Sequence, residues 1–247
     1  MSMKSNNPVF NDKTLNKVLT SDLATTGVMT IEGAINKTGI LFLLLVASSA
    51  VGWSYANSPM GSMLALGGFA VGLVSCLLIT FKPTRAATWA PVYAVAEGLI
   101  IGSITSWYEM SHPGIAFNAM ALTVGCLGLM LFLYRTHLIV ATARIRGMIV
   151  GATLAIGITY LLDMVMMMFG HPIAMIHEGG TYGIIFSVVV VAVAALNLIL
   201  DFAMIEESAK RQAPKYMEWY AGFALMVTIV WLYLEILRLL SKVNSRR

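Results

Sequence analysis

The chain has 247 residues, of which 58% are hydrophobic and only 11% charged, and its formal net charge is +4. Soluble domains carry roughly a quarter charged residues, so this composition excludes an ordinary water-exposed surface and implies lipid as the solvent. The small positive excess, with no basic strip interleaved with aromatics, argues against a nucleic-acid partner.

Taken in chain order, residues 1–37 are polar, with Lys4, Lys13, Lys17 and Lys37 and no early apolar region of the secretory-signal type. They are expected to form an N-terminal cytoplasmic tail. A bilayer core of about 30 Å needs about 20 apolar residues in a helix. Seven segments qualify: Thr38–Ala56, Met60–Thr80, Thr88–Trp107, Ile115–Tyr134, Gly147–Phe169, Tyr182–Ile205 and Met217–Leu240. Proline- and glycine-bearing breaks separate several of them, as at Asn57-Ser58-Pro59, Lys82-Pro83, His112-Pro113-Gly114, Gly170-His171-Pro172 and Gly179-Gly180. Runs such as Val188–Ala195 do not alternate polar with apolar, which removes the β-barrel, the other membrane-spanning architecture. The expected fold is therefore all-α, a polytopic bundle over residues 38–240 followed by a short basic tail, residues 241–247.

Positive charge is asymmetric. Lys82 and Arg85 follow the second segment, Arg135, Arg144 and Arg146 the fourth, and Lys210, Arg211 and Lys215 the sixth, while the intervening loops hold no Lys or Arg. The positive-inside rule then places the N-terminus in the cytoplasm. Seven crossings put the C-terminus outside, against the local charge of Arg238, Lys242, Arg246 and Arg247. The last segment is nonetheless long enough to cross, so seven spans are expected. The short loops and basic tail fit a bacterial inner membrane. Gly68/Gly72, Gly98/Gly102 and Gly147/Gly151 each put two small residues on one helix face, which permits close helix approach. Cys76 and Cys126 lie in apolar stretches and read as packing residues.

Charges inside a span are costly and usually face a bundle interior or a water path. Glu97, Asp163, Asp201 and Glu235 lie within the apolar segments, without a mid-span lysine or arginine. This excess of acid points to proton or cation handling. Asp201 is the leading candidate, with Asn197 one turn back on the same face. Burial penalises the charged form of an unpaired carboxyl, which makes Asp201 a candidate titrating latch. Glu97 falls beside the Gly98/Gly102 face. Asp163 reads equally as a helix–helix hydrogen-bonding group, and Glu235 as a local pair with Arg238 three residues on. The methionine-rich stretch Met164–His177, with His171 and His177, could bind copper(I), although packing explains methionine as well. No nucleophile–base set, metalloprotease motif or phosphate-cradling loop is present in the sequence, so neither an enzyme nor a bound cofactor is expected.

Several blocks resemble the Bax inhibitor-1/YccA-like family: Ala194–Phe202, Ile205-Glu206-Glu207, Ala213–Tyr220, Trp231–Leu240, Met29–Thr38 and Pro91–Leu99. The resemblance covers nearly the whole chain from Met29. It implies a seven-helix bundle with the last helix central, and a pH-sensitive calcium leak in which a sixth-span aspartate pairs with a seventh-span acid. Asp201 matches the first. The second would fall near Thr228, where no acid stands. Glu235 lies two turns further on, and Glu218 is closer to Asp201 in height, so both are carried as candidates. The expected function is a cation leak with calcium as permeant ion and a metal site, if any, near Asp201 or Glu97. Proton-coupled transport and a non-conducting role binding other membrane proteins are the alternatives.

Overall fold

The computed structural model describes residues 27–245. Lys4, Lys13 and Lys17 of the expected N-terminal tail, and Arg246 and Arg247, lie outside the described residues. Eight α-helices are present among the described residues: α1 Ile31–Tyr55, α2 Pro59–Phe81, α3 Ala86–Ser111, α4 Ile115–Arg135, α5 Ala143–Met168, the single turn α6 Ala174–His177, α7 Thr181–Lys210 and α8 Met217–Asn244. All except α6 are long and apolar enough to cross a membrane, and the fold is an all-α polytopic bundle. One end carries the Lys- and Arg-bearing connections and the start of α1 (the basic end). The opposite end carries the connections without Lys or Arg and the end of α8.

Helix boundaries overrun the apolar segments, and at α1 a side-chain cap sets the start. Helix α1 begins at Ile31, seven residues before the apolar stretch, since the Thr30 hydroxyl accepts from Gly33 N. Residues 31–37, assigned above to the polar tail, are thus helical. At the other terminus α8 runs without interruption from Met217 to Asn244 and is long and apolar enough to cross. Four nominal tail residues, Ser241 to Asn244, are helical too.

Helix α8 is the centre of the bundle. It packs against α1, α3, α4 and α7. Half of its apolar stretch is buried, compared with 17–39% for the other six. Buried side chains occur all round it, from Ala221 and Phe223 to Leu232 and Leu237, as expected of a helix that no face of which meets solvent. The outer faces of α1, α2, α4 and α5 expose Leu43, Leu66, Phe117 and Leu154. Such surface would aggregate in water but is matched to acyl chains.

Two of the three glycine pairs make the close contacts their spacing suggests. A Cβ on Gly98 would stand 2.0 Å from Ser48 Oγ and 2.3 Å from the Leu45 carbonyl oxygen, and one on Gly102 would stand 2.0 Å from the Ser49 carbonyl oxygen. These two clamp α3 onto α1. On the α2–α3 side, a Cβ on Gly68 would meet the Ala96 carbonyl oxygen at 2.8 Å. The third pair corrects the sequence reading: nothing lies within 4 Å of a Cβ at Gly147 or Gly151, because α5 packs chiefly on α7 and turns this face away. Gly98→Ala is therefore expected to cost about 1–3 kcal/mol, the range for overpacking a tight contact. Gly147→Ala should be neutral or gain up to about 1 kcal/mol in helix propensity. Thermal unfolding of the two variants in detergent checks the contrast; equal losses would refute it.

Candidate functional site

Six candidate residues come from the sequence, and the fold gives each of them its own set of partners. Asp201 sits on α7 where that helix packs on α8. Its Oδ2 is buried and has no hydrogen-bond partner. Its polar neighbour across the contact is the Thr228 hydroxyl, on the helix position where the two-acid pairing would require a carboxylate. Thr228 is itself buried, and its hydroxyl also donates to the Ala224 carbonyl at 3.3 Å. A hydroxyl is neutral and can turn its proton either way, so Asp201 faces a group that solvates it weakly and does not share a proton between two carboxyls.

Asn197 does not join Asp201. Its amide nitrogen donates to Thr153 Oγ1 at 2.8 Å and to the Val193 carbonyl at 2.9 Å. That amide ties α7 to α5. The i, i+4 relation to Asp201 is correct, but a hydroxyl on a third helix competes successfully for the donor.

Glu97 stands on α3 with Tyr93 as its hydrogen-bonding neighbour one turn back. It faces α2: a Cβ at Gly72 would lie 3.8 Å from Glu97 Oε2. Glu97 and Asp201 thus occupy different helix contacts. Among the described residues no group of three or more His, Cys, Asp or Glu side chains could hold a metal ion.

At the opposite end, Glu235 is 2% exposed and fully paired. Arg238 Nη1 donates to both carboxylate oxygens at 2.9 and 3.0 Å, and Tyr160 of α5 donates to them at 2.9 and 3.0 Å. The Arg238 guanidinium also lies 5.0 Å from the Tyr160 ring centroid. The local pair expected from i, i+3 spacing is present; the tyrosine is an addition the sequence did not disclose.

Asp163, 6% exposed, holds the connection between α5 and α7. It accepts from Ile173 N at 2.8 Å and pairs with His177 Nε2 at 2.7 Å. Neither the pairing with His177, which the sequence offered only as a copper ligand, nor the short helix α6 that carries it was anticipated. Lys242 was also missed. It is 5% exposed, and its Nζ donates to the Met175 and Gly183 carbonyls and to Ser187 Oγ at 3.3, 3.0 and 2.9 Å. Three oxygen acceptors satisfy an ammonium's three donors, which is how a nominal tail lysine comes to be enclosed.

Glu218 is enclosed by protein at the basic end. It is 1% exposed and accepts from Thr30 N and Thr30 Oγ1, both at 3.0 Å, and from Lys215 Nζ at 2.8 Å. With the backbone bonds Met29 N to Ala213 O and Lys215 N to Gly27 O, it knots the start of α1 to the start of α8. Glu235 and Glu218, the two acids carried as partners for Asp201, are both committed elsewhere. Of the six candidates, Asp201 is the one with a buried polar atom left unbonded.

The model of one family, Bax inhibitor 1 like, matches residues 7–245. No curated protein and no solved structure matches the chain. A match over nearly the whole length, together with the seven spans and the central last helix, identifies this multi-pass membrane protein as a member of the Bax inhibitor 1-like family.

Proposed function

We propose that this protein is a pH-sensitive cation leak, with calcium as the permeant ion and Asp201 as its titrating control, and that its N-terminus is cytoplasmic. The observation that carries the reading is the enclosed, unbonded Oδ2 of Asp201 at the contact of the central helix with α7. An isolated charge among apolar side chains is the costly form of a carboxyl. The closed packing therefore suits the neutral acid beside Thr228. Ionisation places a negative charge where no cation faces it, and the charge is relieved by water or a hard cation drawn between α7 and α8. Carboxylate oxygen is the ligand type that calcium prefers.

The sign follows. Raising the pH ionises Asp201 and should raise the leak. Asp201→Asn, neutral at every pH, should hold the leak at its low-pH level, whereas Glu97→Gln should leave the pH dependence in place. The test is calcium entry into sealed liposomes containing the purified protein between about pH 5 and 8. A pH dependence that survives Asp201→Asn would remove Asp201 from control. Correctly inserted protein that passes no calcium at any pH would discard the leak and leave proton-coupled transport or a binding role.

A further inference from the structure

Away from Asp201, α1 and α4 face each other across a cavity instead of packing together. It has a volume of about 550 Å³ and is floored by α3 and α8, within the range of roughly 300–1,000 Å³ typical of ligand pockets. Its wall runs from Phe42 and Leu127 at mid-height to Trp53 and Ala116 at the opposite end of the bundle, with Thr105 and Tyr233 at its floor. Exposed Val46, Met120 and Val124 form its open side.

We propose that this cavity is a binding site for one acyl chain of a bilayer phospholipid. Three observations fix the occupant. The first is length: Phe42 to Trp53 is eleven residues of helix, about 16 Å at 1.5 Å per residue, and one leaflet of a roughly 30 Å core is about 15 Å deep.

The second is chemistry. The wall is almost wholly hydrocarbon, and its hydroxyls are spent within the protein. Ser49 donates to the Val46 carbonyl, Ser54 to Ala50, Thr105 to Ile101 and Thr123 to Ala119, while Tyr233 Oη lies 3.0 Å from Thr105 Oγ1. Little is left to bind water or an ion, which need several polar partners. The third is access. The open side lies among lipid-facing side chains, and Trp53, Tyr55 and Trp107 are exposed at the end where a headgroup would sit, as in an interfacial aromatic belt. The chain enters sideways from the leaflet at the end opposite the basic loops.

The test is photolabelling of the full-length protein in liposomes made with a phospholipid bearing a diazirine midway along one acyl chain, with adducts mapped by mass spectrometry. Adducts are expected on the cavity floor at Thr105, Ile229 and Val230, which are 6%, 5% and 6% exposed and beyond the reach of lipid merely surrounding the bundle. Filling the mouth with Ala50→Phe and Val124→Phe should cut floor labelling roughly tenfold, about 1.4 kcal/mol, without changing labelling of outward-facing Leu43 and Phe117. The wild-type map stands without the variant. Adducts confined to outward positions, floor labelling unchanged by filling, or crosslinks from the floor to a second copy of the chain would each overturn the proposal.

Discussion

Glu235→Ala is expected to destabilise the bundle by about 3 kcal/mol, the low end of the range for removing one partner of a buried ion pair. The low end applies because Arg238 keeps 32% of its side chain exposed, whereas Glu235 keeps 3%. The loss arises from what is left behind. Arg238 would remain against the Tyr160 ring without its paired carboxylate, and the Tyr160 hydroxyl would lose its acceptors. Replacing both partners by leucine removes the stranded charge and should cost much less than Glu235→Ala alone. Tyr160→Phe should cost about 1 kcal/mol, the net worth of an ordinary hydrogen bond. A double-mutant cycle read by unfolding of the detergent-solubilised protein measures the coupling. Additive losses would show that the cluster does not act as a unit.

The second large effect is at the basic end, where Gly33→Ala and Glu218→Ala should prove strongly non-additive. A Cβ on Gly33 would stand 1.9 Å from Glu218 Oε1 and 2.2 Å from its Cδ, so the carboxylate must leave its place. Removing it by Glu218→Ala forfeits two charge-assisted bonds from Thr30, and the expected loss is about 3 kcal/mol. The half-exposed Lys215 adds no credit, since solvent screens its pairing. Gly33→Ala alone should approach the same loss. The double variant should be no worse than Glu218→Ala, because the clash has lost its partner. Unfolding midpoints of the three variants decide this, and a double variant as poor as the sum of the singles would contradict the geometry. The same experiment separates a knot between helices from an ion pathway: if Glu218 serves only the knot, calcium entry per folded molecule should keep its pH dependence in Glu218→Gln.

The family and the span count were readable from the sequence for a physical reason. Lipid demands about 20 apolar residues per crossing and the internal pairing of every backbone polar group, so length and composition leave few solutions. The Glu235–Arg238 pair was readable as well, since three residues along a helix fix the neighbour. What the sequence could not reveal was how each other acid is satisfied. Glu218 meets Thr30 across 188 positions, Glu235 meets Tyr160 across 75, and Asn197 turns to Thr153 across 44. Spacing carries no information about such partners. The Gly147/Gly151 pair fails for the same reason: a small-residue face is only an opportunity, and packing elsewhere left it unused. Seven helices, their order and the acids they carry were therefore determined by local sequence. Tertiary packing alone decided which acids became ties between helices and left Asp201 with an enclosed, unbonded oxygen, because a buried polar group takes whatever donor the fold brings within hydrogen-bond reach.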